Sequence, residues 1–375
     1  MNFTVSSSLL SSRLQTISRV INSKNTIPVL DCFLFELRGT KLTLTASDPD
    51  NTLNTSFDVI ECSEDFSFAI SSKILIDSLK EVSEQPLRFE VNKETLELTI
   101  YYLNGKYSMV GQNAEEYPTA PVMGEGAVKI SIPNSVLSSG ISCSLFAAAD
   151  DEIRPAMCGI YFDFTPENVT FVASDGHKLA RCRDYSVTGA EKSAFILPKK
   201  PATLLKNLLG KDEQEEVVLE FDGRFATFTM GEYELVCRLL DYRYPNYNAV
   251  IPQNNPHKLI VDRAALIGTL RRVAIFSSQV SLIKLHIESG KMVISAQDTD
   301  FSTSAEESIT CSYDSVPMNI GFRASLLIDM LNNIPGQAPL LLGAPPTPQA
   351  QECARHPQGG PVGLCVLWTP EGWQP

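Results

Sequence analysis

Leu42-Thr-Leu-Thr-Ala-Ser-Asp48, Thr170-Phe-Val-Ala-Ser-Asp175 and Met292-Val-Ile-Ser-Ala-Gln-Asp298 are three versions of one stretch, each reading as a strand that ends in Ala-x-Asp. Their aspartates stand 127 and 123 residues apart. The comparable leucines of a short amphipathic helix, Leu79, Leu208 and Leu331, keep intervals of 129 and 123. A Tyr-Pro pair occurs at Tyr117-Pro118 and again 127 residues on, at Tyr244-Pro245. Independent markers sharing one period describe one domain written three times. Solenoid repeats run about 20–50 residues because none can enclose its own core, whereas a unit of about 125 residues can. Repeated whole domains imply repeated geometry, an arc or a ring, more readily than the union of binding and catalytic domains common in enzymes.

Around each marker the order strand, helix, strands, helix, strands recurs. Phe3–Val5 alternates as a strand, Ser6–Ser8 offers capping hydroxyls, and Leu9, Leu10, Leu14, Ile17, Val20 and Ile21 form the apolar stripe of a helix. Strands are expected at Val29–Leu37, Lys41–Thr45, 65–70, 87–91, 95–102 and 106–110, with a second helix over Ser72–Val82. The second unit places helices at Asn134–Ala148 and Lys199–Leu209, and the third near Asp262–Phe276 and Arg323–Asn333. Short strands with two helices per unit make an α+β domain with helices on one face of the sheet. Proline-punctuated connectors after the Tyr-Pro pairs set the domains at 1–123, 124–252 and 253–337.

Composition excludes several classes. The chain is 43% hydrophobic and 20% charged, ordinary for a globular protein, and no apolar run approaches the roughly 20 residues of a membrane span. The first residues read as a strand rather than a signal peptide, and nine cysteines, an odd number without a Cys-x-x-Cys pair, suit a reducing cytoplasm. His177, His257, His286 and His356 lie far apart without metal-ligand spacing, and neither Gly-x-Ser-x-Gly nor a phosphate-binding glycine loop is present. No cofactor, metal or catalytic residue is therefore expected. A triplicated β-rich adhesion module and a replication-linked hydrolase are the competing readings.

Net charge, −13, argues against nucleic acid until its distribution is read. The six helical segments hold eleven lysines and arginines but four acids, leaving 20 basic against 40 acidic residues elsewhere. Lysines populating solvated helix faces would explain this in one helix. A basic face repeated three times would line a surface that follows a phosphate backbone.

Ala173-Ser-Asp-Gly-His-Lys-Leu-Ala180, Arg243-Tyr-Pro-Asn-Tyr247 with Val250-Ile-Pro252, Met1–Val5 and Thr26-Ile-Pro-Val-Leu30 resemble the bacterial sliding clamp family, the β subunit of DNA polymerase III. Ile275-Phe-Ser-Ser278 and Ile320-Gly-Phe-Arg-Ala-Ser-Leu-Leu-Ile-Asp-Met-Leu331 extend the resemblance through about residue 336. It implies a homodimer of three-domain chains joined head to tail around double-stranded DNA, helices lining the hole. It also implies a clamp loader, DNA polymerase III and other replication proteins as partners, the latter entering a groove between the second and third domains. Positions matching that groove are Met157, Ser174, Gly176, His177, Lys178, Leu179, Pro245 and Val250, while Ala249 replaces a basic residue. DNA-facing candidates are Arg13, Arg19, Lys24, Lys73, Lys80, Lys199, Lys200, Lys206, Arg271 and Arg272, and the dimer seam falls to Tyr107, Ile275 and Phe276. For Ile275, which continues a helical stripe, core packing is the competing reading.

The resemblance stops near Gly336. Residues 338–375 hold both tryptophans and eight of the 23 prolines, and only Glu352, Arg355 and Glu371 are charged. Proline at this density is expected to exclude central strands and to leave the third domain without its closing strands. A frameshift or fusion near codon 337 is the reading that fits; another frame of the coding DNA should restore a strand-rich ending.

Overall fold

The computed structural model describes residues 1–151, 153–209, 215–251, 257–277 and 282–333, and the backbone of strands Leu340–Gly343, Glu352–Arg355 and Val362–Trp368. Six α-helices lie among the described residues: α1 Ser7–Ile17, α2 Ser72–Lys80, α3 Asn134–Ser144, α4 Lys199–Leu208, α5 Arg263–Ala274 and α6 Ala324–Asn333. Each falls within four residues of its expected place. Ser6 caps α1 by accepting the Leu9 N–H at 3.2 Å, and Asp262 caps α5 by accepting that of Ala265 at 2.6 Å. Leu10, Leu14 and Ile17 of α1 are buried, as are Leu266, Leu270 and Val273 of α5, so the apolar stripe fixes which face meets the sheet.

The chain forms two compact units, Met1–Ser135 with Thr203–Leu239, and Val136–Ala202 with the chain from Leu240 onward. The first holds a five-stranded sheet (Glu61–Cys62, Asn2–Ser6, Pro86–Val91, Glu97–Tyr102, Gly105–Val110) and an eight-stranded one. The latter runs Val128–Pro133, Glu216–Phe221, Phe225–Met230, Tyr233–Arg238, Asn51–Asp58, Lys41–Ser47, Cys32–Arg38, Phe66–Ser71. In the second unit twelve strands join in one order, from Ser193–Pro198, Gly159–Phe164, Val169–Ser174 and Lys178–Asp184 to the third repeat's Thr303–Tyr313, Lys291–Asp298, Leu282–Glu288 and Met318–Arg323. Neighbouring strands pair antiparallel.

Register carries the repeat into three dimensions. Leu34 faces Thr45 and Ala69; 127 residues on, Tyr161 faces Val172 and Ile196. Ser47 faces Thr52 as Ser174 faces Leu179. In the third repeat Lys284 faces Ser295, 123 residues beyond the pair Tyr161 and Val172.

Three expectations need correction. The strand expected from Val29 begins at Cys32, because Pro28–Asp31 winds into a 3₁₀ turn with proline at its start, burying Val29 and Leu30. Asn51–Asp58, unanticipated, is a full strand whose polar Asn51, Thr52 and Thr55 are buried. Residues 338–375 do supply strands: Leu340–Gly343 pairs with His257–Val261, and Val362–Trp368 pairs with Lys178–Asp184. None of these three strands contains a proline, so every N–H is available to the ladder.

Candidate functional site

The turn between strands Val169–Ser174 and Lys178–Asp184 is where the sequence concentrates its signals. Gly176 takes φ of +86°, the left-handed region that favours glycine. The Asp175 carboxylate accepts the N–H groups of His177 and Lys178, both at 2.8 Å, and pairs with the Lys178 ammonium at 2.9 Å. Burial pushes the Asp175 carboxyl up, but the Lys178 backbone and ammonium and the His177 N–H outweigh it and hold it below the ordinary value. Ser174 Oγ donates to the Lys178 carbonyl at 2.8 Å and accepts the Gly176 N–H at 3.1 Å. Ser174, Asp175 and Lys178 thus build the turn themselves.

Beside it lies an aromatic cluster. Val172, Leu179, Ile196, Tyr244, Tyr247 and Ile251 pack together, with Tyr161 and Val250 partly exposed against them. Tyr161 stacks on Tyr244 with centroids 4.7 Å apart, and the Tyr247 ring stands edge-on to it at 6.2 Å. Tyr247 Oη donates to Asp163 Oδ2 at 2.9 Å. Burial, then the neighbouring Asp163 charge, pushes the Tyr247 phenol up to about 12. Met157, Ser174 and Leu179 are 1%, 1% and 3% exposed, so they form the floor. Gly176 is also buried; His177 is exposed, while Lys178, Pro245 and Val250 are half-buried and reachable. Tyr161, Asp163 and Ile196 were missed by sequence reasoning. Tyr247 could have been found from Arg243-Tyr-Pro-Asn-Tyr247, whereas Asp163 carries no local signal.

The seam candidates sit at two places. Ile275 and Phe276, just past the end of α5, remain 77% and 41% exposed, which sets aside core packing for Ile275. Tyr107 lies on Gly105–Val110, the last strand of the five-stranded sheet, and stacks on Tyr102 at 4.9 Å. Among the described residues this strand pairs only with Glu97–Tyr102. Among the described residues Thr303–Tyr313 pairs along 303–310 on one side only, meeting His257–Val261 just at Cys311–Tyr313. That second open edge had no sequence signal.

The ten DNA-facing candidates divide by partner. Arg13 pairs with Glu232 and lies over the Tyr233 ring, Lys80 pairs with Asp77, Lys199 with Asp150, and Arg272 with Glu307. Arg272 makes a two-pronged arrangement, its Nε and Nη2 donating to the two Glu307 oxygens at 2.9 and 2.8 Å. Arg19, Lys24, Lys73, Lys206 and Arg271 are exposed, and Lys200 is half-buried. Among the described residues no three metal-ligating side chains gather, and no helix is long and apolar enough to cross a membrane.

Three family matches cover the chain in order: DNA polymerase III beta subunit, N-terminal domain over residues 1–121, central domain over 131–246, and C-terminal domain over 248–338. The last ends where composition changes. A beta sliding clamp of Pseudomonas aeruginosa is 27% identical over 336 residues, covering 89% of this chain and 90% of that one. Another, of Synechococcus elongatus, is 27% identical over 332 residues, covering 86% and 87%. Among solved structures, the Pseudomonas aeruginosa clamp bound to griselimycin superposes with a TM-score of 0.92 at 24% identity, over 98% of each chain. The Bacillus subtilis clamp gives 0.90 at 20% identity, over 98% of each. These superpositions establish the shared fold.

Proposed function

Because the chain belongs to the DNA polymerase III beta subunit family and is a sliding clamp, a non-catalytic processivity factor, we propose that two copies close head to tail around duplex DNA. The observation that carries this is a pair of open strand edges, Gly105–Val110 and residues 303–310, with exposed Ile275 and Phe276. An exposed edge invites pairing with another chain, and a heterologous contact whose rotation closes after two copies gives a finite ring. Tyr107, Ile275 and Phe276 would supply the apolar contact.

Exposed Arg19, Lys24, Lys73, Lys206 and Arg271 would meet phosphates within the ring, as would half-buried Lys200. Arg13, Lys80, Lys199 and Arg272 would need to exchange a carboxylate for a phosphate. The cluster around Leu179, reached past His177, Pro245 and Val250, would receive a short apolar peptide from polymerase, clamp loader and other replication proteins. With Ala249 at its rim, recognition there would rest on apolar contact more than on charge.

Topology provides the test. Loaded by a clamp loader onto nicked circular DNA, the protein should stay on the circle and slide off after linearisation. Release from both, or retention on both, would overturn encirclement.

A further inference from the structure

The first two repeats present the same strand face in the same register, and they fill it differently. Where the second repeat packs Tyr161, Val172, Leu179 and Tyr247, the positions 127 residues earlier hold Leu34, Thr45, Thr52 and Ala120. Each replacement is smaller or more polar. The result is a cavity of about 590 Å³ over that face, bounded on one side by Tyr117 and Pro118 of the connector. This volume lies in the range of ligand sites, about 300–1,000 Å³, and suits several residues rather than a lone ion.

Glu36 sits in the middle of the floor, paired in register with Thr43 on one side and Ser67 on the other. It is half-buried, and its carboxylate has no hydrogen bond or ion pair among the described residues. Its counterpart Asp163 receives the Tyr247 hydroxyl at 2.9 Å. With Ala120 in place of that tyrosine, this repeat offers its carboxylate no such hydroxyl. A carboxylate accepts more strongly from a charged donor than from a neutral one, which favours a cationic ligand. The remaining walls say which. Phe66, whose ring already carries the Lys93 ammonium at 5.5 Å from its centroid, closes one wall and Glu115 adds a second carboxylate, while hydroxyls of Thr43, Thr45 and Thr52 surround the floor. Arg38 also lines the cavity, but it is exposed and its Nη1 donates to the Leu37 carbonyl at 3.2 Å. A planar guanidinium matches the two carboxylates and the ring of hydroxyl acceptors, donating from a fork of five N–H groups that a compact ammonium lacks.

We propose that this cavity is a second binding site, taking an arginine side chain presented on an extended segment of a partner protein. It lies within the first unit and does not depend on the peptide cluster of the second.

The test uses the full chain and fluorescein-labelled Gly-Ser-Arg-Ser-Gly, its glutamine analogue, and free L-arginine. The arginine peptide should raise anisotropy and shift the methyl resonances of Thr43, Thr45 and Thr52, with the glutamine analogue at least tenfold weaker. Glu36→Gln should weaken the arginine peptide at least tenfold. Ala120→Tyr should remove binding without lowering the thermal midpoint, because it rebuilds the packing of the second repeat. Should that variant fail to fold, Thr45→Val with Thr52→Leu restores the apolar walls and serves the same purpose. Equal affinity for both peptides, unmoved threonine methyls, or free arginine competing at the same concentration as the peptide would each overturn the proposal.

Discussion

Replacing Ile275 and Phe276 together by alanine should separate the dimer without unfolding the chain. Phe276 keeps 41% of its surface exposed, about 80 Å² if a phenylalanine offers roughly 200 Å², and burying that in a seam is worth about 2 kcal/mol at about 25 cal/mol per Å². Ile275 is 77% exposed, so its burial adds about 1.7 kcal/mol on a scale of roughly 1.5–3 for a whole side chain. Their sum, near 4 kcal/mol, corresponds to several hundredfold in affinity. A ring with two seams loses this twice, about 8 kcal/mol in all, so the dissociation constant should rise on the order of 100,000-fold. Sedimentation velocity over a dilution series reads the constant directly. The monomer should be unaffected, since substituting exposed residues changes stability within about 0.5 kcal/mol. Leu270→Ala, on the helix that ends just before them and fully buried, is the contrasting control, costing about 2–5 kcal/mol of folding stability. An unchanged dimer constant in the double variant, or a fall in its thermal midpoint as large as for Leu270→Ala, would refute the reasoning.

Neutralising the exposed set Arg19, Lys24, Lys73 and Lys206 should impair loading onto circular DNA more than retention, because seam opening rests on apolar contacts that moderate salt does not weaken; loss of the wild type from circles with the steep salt slope of a phosphate binder would contradict this. The Asp175 carboxyl is held below its ordinary value of 3.8, so its contribution to stability is complete above that pH and fades as pH falls below it. Acid unfolding of Asp175→Asn should therefore show a smaller loss of stability below pH 4 than the wild type, and identical profiles would sink the assignment. Burial lifts the thiols of Cys32, to about 11 with help from Asp31, and of Cys237, so native-state alkylation should modify partly exposed Cys62 and spare both. Mass spectrometry showing Cys237 labelled as fast as Cys62 would contradict that.

The order of elements was legible because it is written in local chemistry. Stripes such as Leu10, Leu14 and Ile17 select one helix face whatever the rest of the chain does, and Ser6 or Asp262 marks where the helix starts. Asp175-Gly176 announces a turn for the same reason: glycine alone enters the left-handed region freely. Asn51–Asp58 escaped because its buried face is partly polar, so burial rather than alternation defines it as a strand.

The triplication, the six helices and the turn at Asp175 were thus determined by the sequence alone, through period, stripe and glycine. Which cations stay free was not. Glu232, Asp150 and Glu307 lie outside the helices whose arginines and lysine they bind, so a helix-by-helix charge count assigned them to the acidic remainder. The tertiary structure also decided that Ile275 stays in solvent while Val273, two residues earlier, is buried, since α5 ends between them. It decided, too, that one strand face would pack aromatics and its repeat would hold a cavity. Each of these depends on which distant residues the register brings opposite, and that information is held by strand pairing, not by neighbours along the chain.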